Sequence, residues 1–150
     1  SLEQPETLPE RFESGTQDTP AIAGLLAGAA FVTAVGVDRI ARHEASLVMQ
    51  LMDGLKSIAG LKIYGPGAAV PRGSVVSFTV DGMDPSQVGF LLDNEFEIAV
   101  RTGLHCAPMA HQSIGSYPSG TIRVSPGWFN TDSEISRFLE AMARIVSRGV

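Results

Sequence analysis

Residues 98–108 read Ile-Ala-Val-Arg-Thr-Gly-Leu-His-Cys-Ala-Pro, and residues 120–125 read Gly-Thr-Ile-Arg-Val-Ser. Both stretches hold β-branched residues and are bounded by glycine or proline, so the pattern predicts short strands over Ile98–Arg101 and Thr121–Ser125. The first strand runs into a loop with Gly103, Cys106 and Pro108. Upstream, Leu61–Tyr64 and Ser74–Val80 are two further predicted strands, separated by a loop with Gly65, Pro66, Gly67, Pro71 and Gly73. Between and after these strands the apolar period lengthens to that of helices. Asp84-Pro85 opens a short helix with Val88, Leu91 and Leu92 inward. Thr131-x-x-Glu134 is a capping box for a last helix whose buried stripe is Ile135, Phe138, Leu139, Met142 and Ile145. Strands and helices mix without strict alternation, so the expected fold class is α+β, a short, mostly antiparallel sheet packed against helices.

Working outward to the N-terminus, residues 61–150 form this C-terminal α+β domain, residues 19–60 a helical connection, and residues 1–18 an extended acidic lead. Thr19 is the expected N-cap and Pro20 the first residue of a helix reaching Val35, which Gly36 breaks. Asp38 caps a second, longer helix with Ile40, Leu47, Val48, Leu51, Leu55 and Ile58 on one face, ended by Gly60. The 19 residues from Thr19 to Val37 carry no charge, and nine of them are Ala or Gly. Asp18 and Asp38 flank the run, with no Lys or Arg to anchor an inside end, so it reads as a buried small-residue helix and not a membrane span.

Composition bounds the partners. The chain has 150 residues, 44% hydrophobic and 18% charged, with a net charge of −5. Disorder is excluded, and with no basic run neither nucleic acid nor an anionic membrane is an expected partner. The lead segment holds most of the negative charge, which leaves the other 130 residues nearly neutral, as in chains that belong to larger assemblies. One cysteine excludes a disulfide scaffold and fits a reducing, cytoplasmic setting. One cysteine and three scattered histidines do not make a metal site.

Three clusters carry the chemistry. A lone cysteine is usually a small buried hydrophobe, yet Cys106 sits in a Gly/Pro-bounded loop beyond a strand, with Arg101 and His105 near it in sequence to favour a thiolate. Arg123, in mid-strand, needs an anion: either a structural Asp or Glu, or a substrate carboxylate held by two hydrogen bonds. Gly15-Thr16, after Arg11-Phe12-Glu13-Ser14 and before a helix start, is a weak phosphate-site signal. His43 reads as a structural residue and Trp128-Phe129 as packing, while His111 either lines the mouth of a site or lies on the surface.

In this order, RFESGT, the Ala/Gly helix, HEASL, IYGP, VSF, AVRTGLHCAP and GTIRVSPGWFNT closely resemble the C-terminal third of the class V aminotransferase family, of the cysteine desulfurase and selenocysteine lyase type. The resemblance implies the small C-terminal domain of a fold-type I pyridoxal phosphate (PLP) enzyme that takes sulfur from L-cysteine, giving alanine and an enzyme persulfide. It implies that Cys106 is the nucleophile and that Arg123 grips the substrate carboxylate, with Arg101 and His105 beside them on the substrate side. It implies that Gly15 and Thr16 contact the PLP phosphate across a homodimer interface, although Gln17-Asp18 departs from the Pro-Asn frequent there. A sulfur-acceptor protein and a place in iron–sulfur cluster assembly are further implications. Lys56 and Lys62 are the only lysines, and neither has the His-Lys context of the family, so this stretch alone is expected to be inactive. Two alternatives stay open: another aminotransferase or lyase relative, or a cofactor-free interaction module whose Cys106 carries sulfur or senses oxidant.

Overall fold

The computed structural model describes residues 5–13, 15–67, 70 and 72–148. Ser14 of the Gly-Thr stretch and Pro71 of the inter-strand loop lie outside the described residues. The chain forms two compact units, Ser1–Arg39 and Ile40–Val150.

The first unit contains a single turn of 3-10 helix, Glu10–Phe12, and helix α1, Thr19–Val35. The N-cap of α1 is Asp18 and not Thr19: its carboxylate accepts from the Ala21 N–H at 3.1 Å. A carboxylate caps as well as a hydroxyl and adds charge that favours the helix dipole. Gly36, at φ +88°, ends the helix with its N–H on Val32 O. The expected burial of α1 is not found. Residues 19–34 are all exposed, Leu25 and Leu26 at 75% and 72%. The Ala/Gly-rich run yields a helix that is apolar on every side, and no described residue of its own unit covers it. No single helix among the described residues is long and apolar enough to cross a membrane.

Helix α2 (Val37–Ser57) begins in the first unit and runs into the second, where it buries Leu47, Val48, Leu51 and Leu55 of the stripe that the sequence period marks, together with Met52; Ile40 and Ile58 are half-buried. Asp38, the expected cap, lies inside its first turn, because the helix already begins at Val37. Four strands, β1 (Leu61–Tyr64), β2 (Val76–Val80), β3 (Arg101–Gly103) and β4 (Thr121–Val124), form one fully antiparallel sheet in the order β1-β2-β4-β3. β2 alternates cleanly: Val76, Phe78 and Val80 are buried while Ser77 and Thr79 lie on the other face. Phe78 and Ile122 are Cα partners and both fully buried, which places the core between this face and α2, α3 (Pro85–Phe96) and α5 (Asp132–Arg148). Phe78 meets Phe138 of α5 edge to face at 6.3 Å. The capping box is formed as read, with Thr131 N–H on Glu134 Oε2 at 2.8 Å and Glu134 N–H on Thr131 Oγ1 at 3.3 Å.

Two boundaries differ from expectation around the functional loop. Ile98–Val100 is not strand, because this segment closes α3 instead. Glu97 takes the left-handed conformation and the Ile98 N–H bonds Leu92 O at 3.0 Å, a helix exit that consumes the backbone groups a ladder would use. β3 therefore starts at Arg101. Beyond the loop lies a short helix that the sequence reading missed, α4 (Pro108–Ile114), begun by proline at its first position.

The β3–β4 pairing rests on one close approach. Gly103 and Thr121 are Cα partners, and a Cβ on the adjacent Gly120, at φ +82°, would fall on the Gly103 carbonyl. Gly120→Ala combines a left-handed backbone with that clash and is expected to destabilise the fold by roughly 2 kcal/mol or more. Gly127→Ala, where nothing lies within 4 Å of the added carbon, serves as control. Urea denaturation of both variants is the check; equal midpoints would refute the close-approach account.

Candidate active site around Cys106

The register Arg101↔Arg123 sets two arginines directly across an antiparallel ladder. Like charges so placed are destabilising unless something neutralises them. No carboxylate among the described residues pairs with either; ion pairs such as Lys56–Asp53, Arg137–Glu97 and Arg148–Glu95 lie elsewhere. Arg123 is half-buried, and its Nε is buried with no hydrogen-bond partner. Of the two partners open to Arg123 from sequence, the structural Asp or Glu is thus not present among the described residues. What the geometry leaves is an Arg123 Nε with no acceptor among the described residues.

Cys106 stands beside this pair. Leu104–Ala107 makes a turn closed by Ala107 N–H on Leu104 O at 2.8 Å, and both His105 (φ +50°) and Cys106 (φ +61°) are left-handed. Left-handed non-glycine residues cost roughly 1–3 kcal/mol each and persist only where the surroundings hold them. Here the tight turn sends the two side chains apart. The Cys106 thiol is exposed, with Arg101 Nη2 donating to Sγ at 3.7 Å. His105 turns inward, its Nε2 hydrogen-bonded to Thr121 Oγ1 at 3.2 Å and its Nδ1 buried without a partner.

His111 is neither at a mouth nor on the surface. It is 5% exposed, its Nδ1 is bonded to Ser116 Oγ at 2.7 Å, and its ring lies 5.6 Å from that of His105. Thr121 and Ser116 are the residues of this cluster that the sequence did not mark, and His111 is buried where the sequence left it at a mouth or on the surface. Thr121 is 16 residues from His105, and only the sheet register brings them together. Outside the cluster, His43 bonds Asn130 O at 2.9 Å and meets Trp128 edge to face at 5.2 Å, a structural role as read. A cavity of about 230 Å³ lined by Val100, Val124, Asn130 and Phe138 includes none of Arg101, Cys106 and Arg123.

The first unit holds the other two candidates. Gly15 is left-handed (φ +82°) with open space at its Cβ position, and Thr16 is exposed. Asp18 already accepts from the first turn of α1, so the helix N-terminus there is occupied by a carboxylate. Lys56, on α2, pairs with Asp53 at 3.0 Å, and Lys62 lies over the Tyr64 ring at 4.9 Å on β1, at the opposite edge of the sheet from β3.

Burial holds the His105 imidazole below its usual pKa, reinforced by the charges of Arg123, His111 and Arg101. The unfolded chain therefore binds a proton more readily than the folded one below about pH 6.5, so stability falls on acidification through that value and is recovered above it. The expected outcome is that His105→Gln narrows the drop in Tm between neutral and mildly acidic buffer. An undiminished drop would place the acid sensitivity elsewhere.

A sequence profile of the family described as "Aminotransferase class-V" matches residues 2–138. The chain is 38% identical over 136 residues to a probable cysteine desulfurase 2 of Mycobacterium leprae, covering 91% of this chain and 32% of that one. It matches the apo structure of a cysteine desulfurase from Thermococcus onnurineus with a TM-score of 0.86 at 36% identity, over 93% of this chain and 34% of that chain. It matches the cysteine desulfurase CsdA from Escherichia coli with a TM-score of 0.84 at 25% identity, over 95% and 34%. The chain thus spans about a third of the length of the relatives it matches. An α+β unit built on an antiparallel sheet, carrying the RTGLHCAP loop and the GTIRVS strand in register, belongs to the class V aminotransferase family.

Proposed function

We propose that this chain supplies the sulfur nucleophile and the carboxylate clamp of a PLP-dependent cysteine desulfurase. The observation that carries the reading is the pair Arg101 and Arg123, opposed across β3 and β4 with no acid partner among the described residues, beside an exposed Cys106 thiol. An amino-acid carboxylate satisfies both the charge and the fork geometry of Arg123. A thiol that only carried sulfur or sensed oxidant would have no use for such a clamp.

The residues present fit the substrate side of that reaction better than the cofactor side. The buried, unpartnered Nε of Arg123 marks where an anion is missing, whereas neither lysine is placed to hold PLP. The lysine, the acid for the pyridine nitrogen and the ring-stacking histidine therefore belong to other parts of the longer enzyme. Gly15 and Thr16, exposed in the first unit, would offer a turn and a hydroxyl to the cofactor phosphate of a second copy. Bound PLP supplies the electron sink that makes the substrate's α-proton and then its sulfur removable. Arg123 holds the carboxylate and so orients the substrate side chain. Arg101 Nη2 donates to Sγ of Cys106 and so orients the thiol toward the substrate. The thiolate forms a bond to the substrate sulfur as the carbon–sulfur bond breaks, its electron pair staying on the amino-acid fragment, which takes up a proton and leaves as alanine. Cys106 keeps the sulfur as a persulfide. Its exposure supports transfer onward to an acceptor protein, in a reducing cytoplasmic setting and toward uses such as iron–sulfur cluster assembly.

Replacing Arg123 with Lys keeps the charge and loses the planar fork. The expected result in the intact enzyme is a KM for L-cysteine raised about ten-fold or more, with Tm little changed. An unchanged KM with a lowered Tm would make Arg123 a structural cation and remove the clamp from the proposal.

A further inference from the structure

Two consecutive left-handed residues, His105 and Cys106, form the tip of the nucleophile loop, and the exposed thiol has no partner beyond Arg101 to hold it there. Besides the backbone bonds of Ala107 to Leu104 and His111, the side chain that ties the loop to the sheet is that of His105. Its Nε2 bonds Thr121 Oγ1, and Thr121 is fully buried in β4 and opposite Gly103, the last residue before the loop. Thr121 thus holds the loop twice, once by backbone register and once by its hydroxyl. Behind His105 stands the His111 ring at 5.6 Å, itself held by Ser116 Oγ, while the Ser116 and Tyr117 N–H groups both donate to His111 O. The chain of contacts Ser116–His111–His105–Thr121 is buried or half-buried throughout and passes through the residue next to the nucleophile.

We propose that Thr121, with His111 and Ser116 behind it, is a positioning device that keeps the Cys106 thiol against Arg101. This rests on the desulfurase reading only for its kinetic consequence; the placement of the thiol does not depend on it. Without the Thr121 hydroxyl, His105 loses its one hydrogen bond, and the loop is free to leave the left-handed conformation and carry Sγ away from the guanidinium. The charged and titratable groups around the thiol are Arg101 on β3, Arg123 on β4, His105 in the loop and His111 on α4. Of these, the substitution disturbs the setting of His105 and leaves the carboxylate clamp Arg123 in place.

The test uses the intact cofactor-loaded protein with Thr121→Val, which keeps the volume and loses the hydroxyl, Thr121→Ser, which restores it, and His111→Phe, which keeps a ring and loses the bond to Ser116. Two readouts are taken: steady-state kinetics with L-cysteine, and the rate of Cys106 alkylation by iodoacetamide at fixed pH, located by peptide mass spectrometry. The expected result for Thr121→Val is a kcat lowered about ten-fold with KM within about two-fold of the parent, because a misplaced nucleophile costs turnover and not binding. Alkylation should slow several-fold, Thr121→Ser should recover both readouts, and His111→Phe should fall between. Thr121→Val with parental kcat and alkylation rate would overturn the proposal. So would a loss of kcat and Tm together that Thr121→Ser does not rescue, since that marks a packing role alone. If alkylation slows as expected while even the parent protein yields no alanine from L-cysteine, the positioning device stands and the desulfurase reading fails.

Discussion

The constraint on which the rest of the structure depends is the antiparallel register of β3 and β4. It sets Arg101 opposite Arg123, Thr102 opposite Ile122 and Gly103 opposite Thr121. Each pair does a different job. The arginines have no carboxylate against them among the described residues, which suits the proposed anion site; Ile122 ties the ladder into the core; Thr121 hydrogen-bonds the imidazole of the thiol loop. A slip of one residue would turn every one of these side chains to the opposite face. Gly120, at the end of the ladder, allows the approach to the Gly103 backbone that fixes the register, at a position where a Cβ would not fit.

This arrangement separates rigidity from access. Thr121, Ile122 and the core face of β2 are fully or nearly buried, and the thiol at the end of the same ladder is exposed. Sulfur chemistry needs both. The carboxylate must be gripped at a fixed point while the sulfur remains within reach of an acceptor. Burial also shapes the charge balance, since it keeps His105 toward its neutral form beside two guanidiniums and so avoids a third positive charge in the cluster.

Much of the second unit was legible in the sequence because its signals are local. The α2 stripe, the Thr131–Glu134 box and the Arg in mid-strand all declare themselves within a few residues, and each is found as read. What was hidden depends on contacts between distant residues or on competition for backbone groups. The Thr121–His105 bond needs the ladder; the start of β3 at Arg101 needs the α3 exit to claim the Ile98 N–H. His111 was ambiguous because a seven-residue helix has too few turns to show a buried face. The exposure of α1 is the largest departure. A helix that is apolar all round carries no period to say which side is covered, and an Ala/Gly-rich composition reads as buried whether its cover lies in the same unit or elsewhere.

The central claim is that Cys106 takes up the sulfur while the two arginines hold the rest of the substrate. The most direct measurement is mass spectrometry of the Cys106 peptide after the intact cofactor-loaded protein meets L-cysteine without a reductant or acceptor. The account predicts one added sulfur atom on that peptide, matched by alanine, and its loss when dithiothreitol is added. Alanine formed with an unmodified Cys106 peptide would contradict it.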